Sequence, residues 1–128
     1  MRRHLPLLLF AAFAAFIVAV VVLKNLDLAD GFFAFWGRVP YHDKVGHFVL
    51  MGLLSGFAVI GIAPRLAAPP GRATTQVIAV VALLIIGEEI SQHWVSSRTF
   101  SLIDLACSLA GAVVFGSAAG RLVTRPDP

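Results

Sequence analysis

Four apolar segments, at about 5–23, 45–63, 75–93 and 102–123, constrain the fold of this chain more than any other feature. Each is close to the roughly 20 residues that an α-helix needs to cross the hydrocarbon core of a bilayer. Hydrophobic residues make up 59% of the 128 residues and charged residues only 13%, whereas charged residues approach about a quarter of a soluble protein. The sequence therefore predicts an all-α integral membrane protein, a compact bundle of four transmembrane helices in which 1–128 form one domain.

The first apolar segment follows Arg2 and Arg3, as the core of a secretory signal would. Its run from Leu5 to Leu23 is longer than the usual signal core of about 7–15 residues, and no small-residue cleavage region follows it. We interpret it as an uncleaved first span.

Charge and cysteine content exclude some classes of partner. The formal net charge is +3, and the basic residues are spread singly along the chain rather than gathered in a stripe, so no nucleic-acid partner is expected. The single cysteine, Cys107, lies in the last apolar segment and permits no internal disulfide.

Polar and ionisable residues gather at the ends of three predicted spans, although such residues are costly in a membrane helix and commonly mark functional sites. They are Asp43, Lys44 and His47 where the second span begins, Glu88, Glu89, Gln92 and His93 where the third ends, and Arg98 and Asp104 around the start of the fourth. Alternating helices bring these three ends to the same face of the membrane. We expect a polar pocket there, framed by spans two, three and four.

The mixed segment 24–43 carries Asp27 and Asp30, then the aromatic residues Phe32, Phe33, Phe35, Trp36 and Tyr41. Trp and Tyr favour the depth of the lipid headgroups. We expect this segment to lie along the interface and to roof the pocket, either as an anchoring belt or as part of a groove for a lipid substrate.

Small residues predict where the helices pack closely. Gly52 and Gly56 are four residues apart in the second span, a spacing that permits close helix approach. In the fourth span a ridge with the same four-residue spacing should face protein rather than lipid, and it consists of Asp104, Ser108, Ala112, Gly116 and Gly120.

Basic residues in the short loops predict the orientation. Six lie on the side of the two termini, namely Arg2, Arg3, Arg65, Arg72, Arg121 and Arg125, against Lys24, Arg38, Lys44 and Arg98 on the other side. Both termini should therefore be cytoplasmic, and the pocket should open at the outer leaflet of a bacterial inner membrane.

The chain resembles the VanZ-like family of small bacterial membrane proteins. The resemblance is carried by Asp43-Lys44-x-x-His47, Glu89-x-x-Gln92, Arg98, and Asp104 with Gly111, in the family's order over about the last two-thirds of the chain. This chain has Ser108 where relatives often have Asn, and Ser91 before Gln92 where they often have His, with His93 one place after. The resemblance implies a cell-envelope role related to glycopeptide resistance, particularly to teicoplanin, but no agreed reaction.

The residue types then suggest a site for an amphiphile, such as a lipid-linked cell-wall precursor or a lipoglycopeptide. We predict catalytic roles for Asp43, His47, Glu89 and Asp104, and substrate binding by Lys44, Gln92, Arg98 and Ser108. Glu89 or Asp104 can act as a general base, His47 can exchange protons near neutral pH, and Arg98 with Lys44 can hold an anionic headgroup.

Several alternatives stay open at this point. We expect no resident cofactor, although Asp43, His47, Glu89 and Asp104 form a ligand set acceptable to zinc or manganese. The polar cluster can instead serve only to stabilise helix packing, or it can bind lipid without catalysing a reaction. A proton relay is disfavoured because the remainder of each span lacks ionisable residues. Whether a reaction occurs, whether Glu88 belongs to the site, and the oligomeric state are left undecided.

Overall fold

The computed structural model describes residues 4–28, 30–96 and 98–124, and its regular structure over these ranges is entirely helical. The helices are α1 (Leu5–Asn25), α2 (Asp30–Trp36), α3 (His42–Ile62), α4 (Pro70–Ser91) and α5 (Leu102–Val123), with 3₁₀ turns at Ala63–Arg65 and Gln92–Trp94. Four of them, α1, α3, α4 and α5, are long and apolar enough to cross a membrane. The predicted all-α chain with four such helices is confirmed, and membrane insertion itself stays a prediction.

Two long helices start earlier than predicted. The helix α4 begins at Pro70 rather than near 75, because a proline in the first helical turn has no N–H to leave unbonded and already has a helical φ angle. The Pro69-Pro70 pair therefore marks the start of a helix rather than the middle of a loop. The mixed segment 24–43 contains a short helix, α2, and α3 begins at His42, three residues before the predicted 45.

The helix α3 is central, since it packs against α1, α4 and α5, and its contact with α5 is the most extensive in the bundle. The predicted ridge on α5 faces protein: Ser108, Ala112, Gly116 and Gly120 are buried, and Asp104 is half-buried. Gly52 and Gly56 of α3 both approach Phe115 of α5. The small residues therefore set the close approach of α3 and α5.

The helix α1 is peripheral. Among its described residues only Ile17 is buried. The ring centroid of its Phe13 lies 5.3 Å from that of Phe57 in α3. The start of α1, at Pro6, meets Gly61 near the end of α3, so the two helices run antiparallel.

The helices alternate in direction, so α1 and α4 end where α3 and α5 begin. We call this the polar end, because Lys44 bonds to Asp104 there, Arg98 to Asn25, and Ser101 to Glu89. At the opposite end Gly120 of α5 meets Thr74 near the start of α4. The orientation prediction depends partly on Arg2, Arg3 and Arg125, which lie outside the described residues.

Candidate functional site

A cavity of about 330 Å³ lies at the polar end, and all of the described side chains that line it are polar. The lining residues are Lys24, Asp27, Asp30, Asp43, His47, Gln92, Arg98, Thr99, Ser101 and Asp104. Five of the eight predicted site residues are among them. The other three, Lys44, Glu89 and Ser108, do not line the cavity, but each bonds to a residue that does.

Two polar contacts join α3 to α5 beside this cavity. The Lys44 ammonium lies 3.5 Å from a carboxylate oxygen of Asp104, and His47 Nδ1 lies 3.0 Å from Ser108 Oγ. Lys44 and His47 are three residues apart, and Asp104 and Ser108 are four apart, so the two contacts lie one helical turn from each other. They fix how the starts of α3 and α5 face one another.

Ser101 is the N-cap of α5 and connects that helix to α4. Its side-chain oxygen accepts a hydrogen bond from the backbone N–H of Asp104 at 3.3 Å, which satisfies a donor that a helix start leaves free. Its own backbone N–H donates to Glu89 Oε1 at 3.1 Å. Asp104 also lies in the first turn, where its negative charge is favourable to the helix dipole.

Glu89 is buried behind the cavity, with 2% of its surface exposed. One of its carboxylate oxygens accepts from Ser101, and the other accepts from Gln92 Nε2 at 3.2 Å. Gln92 is also buried and donates from the same nitrogen to Glu88 Oε2 at 2.9 Å. The buried carboxylate therefore has both of its oxygens hydrogen-bonded to protein.

Arg98 ties the loop before α5 to two other elements. Its guanidinium donates to Asn25 Oδ1 at 3.1 Å, at the end of α1, and lies 3.7 Å from Glu88 Oε1 on α4. The Arg98 side chain is 9% exposed. Glu88, which the sequence left unassigned, therefore belongs to the polar cluster.

The sequence interpretation missed five lining residues: Lys24, Asp27, Asp30, Thr99 and Ser101. Lys24 lies in the last turn of α1, Asp27 in the turn that follows it, and Asp30 is the first residue of α2. Asp27 has a left-handed backbone conformation, with φ 53°, and so does Tyr41 at the other end of the segment, with φ 59°. The signal that could have found the aspartates was their charge in a segment already expected to roof the pocket.

Two residues that sequence reasoning placed near the site lie elsewhere. His93 is exposed, and its ring packs edge-on against Trp94 at 5.6 Å. Ser91 is also exposed and donates to the backbone oxygen of Glu88. The aromatic residues of α2 that are described, Phe32 and Phe35, are 62% and 68% exposed, as an interfacial segment requires. The side chains of Phe33 and Trp36 lie outside the described part of the chain.

The geometry separates the chemical roles these residues can have. Ser108 is 2% exposed and does not line the cavity, so it is placed to orient the His47 ring rather than to attack a substrate. His47 lines the cavity and can exchange a proton with a group bound there. Lys44 and Arg98 are each within 4 Å of a protein carboxylate, so an anionic ligand would compete with those contacts.

The set of residues suggested as metal ligands is spread over separate contacts. Within the described ranges no three His, Cys, Asp or Glu side chains are grouped as a metal site would require. The metal alternative remains an untested prediction.

Comparison with known proteins adds no family: no family model, curated protein or solved structure matches this chain. The VanZ-like resemblance therefore rests on its motif residues alone, and the cavity is the structural feature that bears on function.

Proposed function

We propose that this chain is a VanZ-like protein of the bacterial inner membrane that handles a lipid-linked envelope substrate through its polar cavity and contributes to tolerance of teicoplanin-type glycopeptides. Both termini are cytoplasmic in this proposal, and the cavity opens at the outer leaflet. The observation that carries it is the cavity at one end of four long apolar helices, whose lining among the described residues consists of polar side chains.

The free-energy cost of placing ionisable residues in membrane segments supports a functional site at the cavity. Ionisable groups in membrane segments are rare and commonly mark substrate or ion pathways. Interhelical hydrogen bonds in membrane proteins stabilise by only about 0.6 kcal/mol on average. Helix packing here already has the Gly and Ala ridge of α5, so stability alone is a weak reason for seven ionisable side chains around one cavity.

Within this proposal His47 is the residue that exchanges a proton with the substrate, since it lines the cavity and its other ring nitrogen is held by Ser108. Asp43 and Asp104 face the same space and supply negative charge. Gln92 and Arg98 contribute to the wall, and the buried Glu89 holds Gln92 in place.

A second candidate is a bundle that binds lipid or only packs, without chemistry. The contacts of Lys44 with Asp104 and of Arg98 with Glu88 favour it, because both basic side chains already have partners in the protein. The two candidates differ in what the loss of the His47 imidazole does.

The test compares two histidines in a bacterium that carries the full chain. His47→Asn removes the imidazole but keeps a polar side chain that can reach Ser108, whereas His93→Asn makes the same change at an exposed residue outside the cavity. The measurement is the minimal inhibitory concentration of teicoplanin, with membrane abundance followed by immunoblot.

We expect the native chain and His93→Asn to raise the inhibitory concentration, and His47→Asn to lose that rise at normal abundance. A native chain that gives no tolerance would refute the glycopeptide role. A His47→Asn variant that keeps full tolerance would leave the second candidate as the better explanation.

A further inference from the structure

The charges around the cavity are unequal in number. Its lining includes four aspartates, two basic residues and one histidine. Two of the aspartates have partners: Asp104 contacts Lys44 at 3.5 Å, and Asp43 contacts His42 Nε2 at 2.7 Å. Of the two basic residues, Arg98 lies against Glu88 and Asn25. The positive charge of Arg98 is therefore already engaged within the protein.

The other two aspartates, Asp27 in the turn after α1 and Asp30 at the start of α2, are exposed and line the cavity. No salt bridge joins either of them to a basic side chain in the described ranges. Asp43 lines the same cavity from the first turn of α3, so three carboxylates face one space. This arrangement repels an anion and attracts a cation.

We propose that the cavity binds the primary ammonium group of a lipid headgroup, and that Asp27 and Asp30 are its main contacts. This inference rests on the proposed function, which supplies the lipid. The neutral side chains of Gln92, Thr99 and Ser101 line the same space and suit the polar atoms beside an amine.

Size and lining favour a headgroup rather than a whole lipid. At about 330 Å³ the cavity is near the lower end of the range for small-molecule sites, about 300–1,000 Å³. No apolar side chain of the described part of the chain lines it, so acyl chains would stay outside against the exposed apolar faces of the helices. A small amine-bearing headgroup fits these limits.

The experiment measures lipid binding to the purified full chain in detergent by native mass spectrometry. The probes are phosphatidylethanolamine, its N-acetylated form, which lacks the ammonium, and phosphatidylglycerol. Soluble glycerophosphoethanolamine separates a lipid-borne amine from a free one.

The decisive variant is Asp27→Asn with Asp30→Asn. Asparagine tolerates the left-handed backbone of residue 27, so the connection should keep its shape. The control is Ala67→Lys with Thr124→Lys, which raises the net charge by the same amount at exposed positions of the opposite end.

We expect phosphatidylethanolamine to bind at least about tenfold more tightly than its N-acetylated form, and the aspartate variant to lose that preference while the control keeps it. Equal binding of the amine and acetylated lipids, or an unchanged preference in the aspartate variant, would overturn the inference but leave lipid handling intact. Binding of soluble glycerophosphoethanolamine in the absence of lipid would overturn the claim that the bound amine belongs to a lipid. No binding of any lipid would count against the proposed function itself.

Discussion

Gly111 should tolerate no side chain, because α3 passes it at backbone distance. A Cβ placed on Gly111 would meet the carbonyl oxygen of Phe48 at well under any normal contact distance, with the Phe48 carbonyl carbon at 2.8 Å and its Cα at 3.1 Å. All three atoms belong to the backbone of α3. No side-chain rotation can therefore relieve the clash, and the two helices would have to separate.

The size of the effect follows from these distances. Carbon atoms pack best at about 3.5–4.0 Å, so the 2.8 Å distance requires the helices to separate by roughly 0.7–1.2 Å. Overpacking of this kind typically costs about 1–3 kcal/mol. Alanine is favoured over glycine in a helix by about 0.8–1.0 kcal/mol, which offsets part of that cost. Because the clashing atoms are all backbone, the upper end of the overpacking cost applies, and we expect Gly111→Ala to lower the free energy of unfolding by about 2 kcal/mol.

Two matched variants make the same chemical change without the clash. At Gly56 the nearest atom to an added Cβ would be the Phe115 carbonyl oxygen at 3.7 Å, an ordinary contact, and at Gly87 nothing lies within 4 Å. Gly56→Ala and Gly87→Ala should therefore be neutral or stabilising by up to about 1 kcal/mol.

Thermal unfolding of the purified chain in detergent, followed by circular dichroism, ranks the three variants. If Gly111→Ala melts with the native chain, or if Gly56→Ala is destabilised as much, the close approach of α3 and α5 described here would be wrong. A functional measurement on the same variants would add a second check, because Gly111 lies one turn beyond Ser108 and Phe48 follows His47 in the chain. Separating the helices at this level should also lengthen the contact between His47 and Ser108.

Two further predictions concern single residues. Glu89→Gln should destabilise the chain by about 1–3 kcal/mol, because the carboxylate accepts from Ser101 and from Gln92, and the NH₂ group of the new amide would face one of these two donors. Loss of thermal stability in detergent checks this, and an unchanged melting temperature would refute it. Tyr41→Gly should stabilise the folded chain by about 0.5–1 kcal/mol, because the tyrosine backbone is strained at φ 59° and the residue, 76% exposed, contributes little packing. The same change at Asp27 should stabilise the chain less, since aspartate tolerates the left-handed conformation. Equal gains at the two positions in the same unfolding measurement would contradict the strain at Tyr41.

The sequence predicted the helices well because each apolar segment is long and is flanked by polar residues. The start of α4 was misplaced because Pro69 and Pro70 suit both a loop and a first helical turn, and only packing decides between them. The convergence of Asp43, His47, Gln92, Arg98 and Asp104 on one cavity could be predicted from alternating helix direction alone. The sequence could not predict which residues line the cavity and which support it from behind, since Glu89 and Gln92 lie on the same face of a helix end but only Gln92 lines the cavity.

The position of Asp27 was also beyond the sequence pattern, because it depends on the backbone of the turn between α1 and α2, and Asp30 begins the short helix α2, which the sequence did not predict. Asp27 and Tyr41, which lie on either side of α2, have left-handed backbones that turn the chain, and no repeating sequence pattern predicts such turns. Such conformations cost energy and are commonly found at functional sites.

The close approach of α3 and α5 explains why the site can use short side chains. Serine at position 108 reaches the His47 ring at 3.0 Å only because glycine at 111 lets the two backbones come together one turn away. With larger residues on the ridge the helices would stand farther apart, and a longer side chain such as asparagine would be needed to make the same contact. The small residue at 111 and the serine at 108 are therefore best understood as one adaptation, in which helix packing sets the length of side chain that holds the histidine toward the cavity.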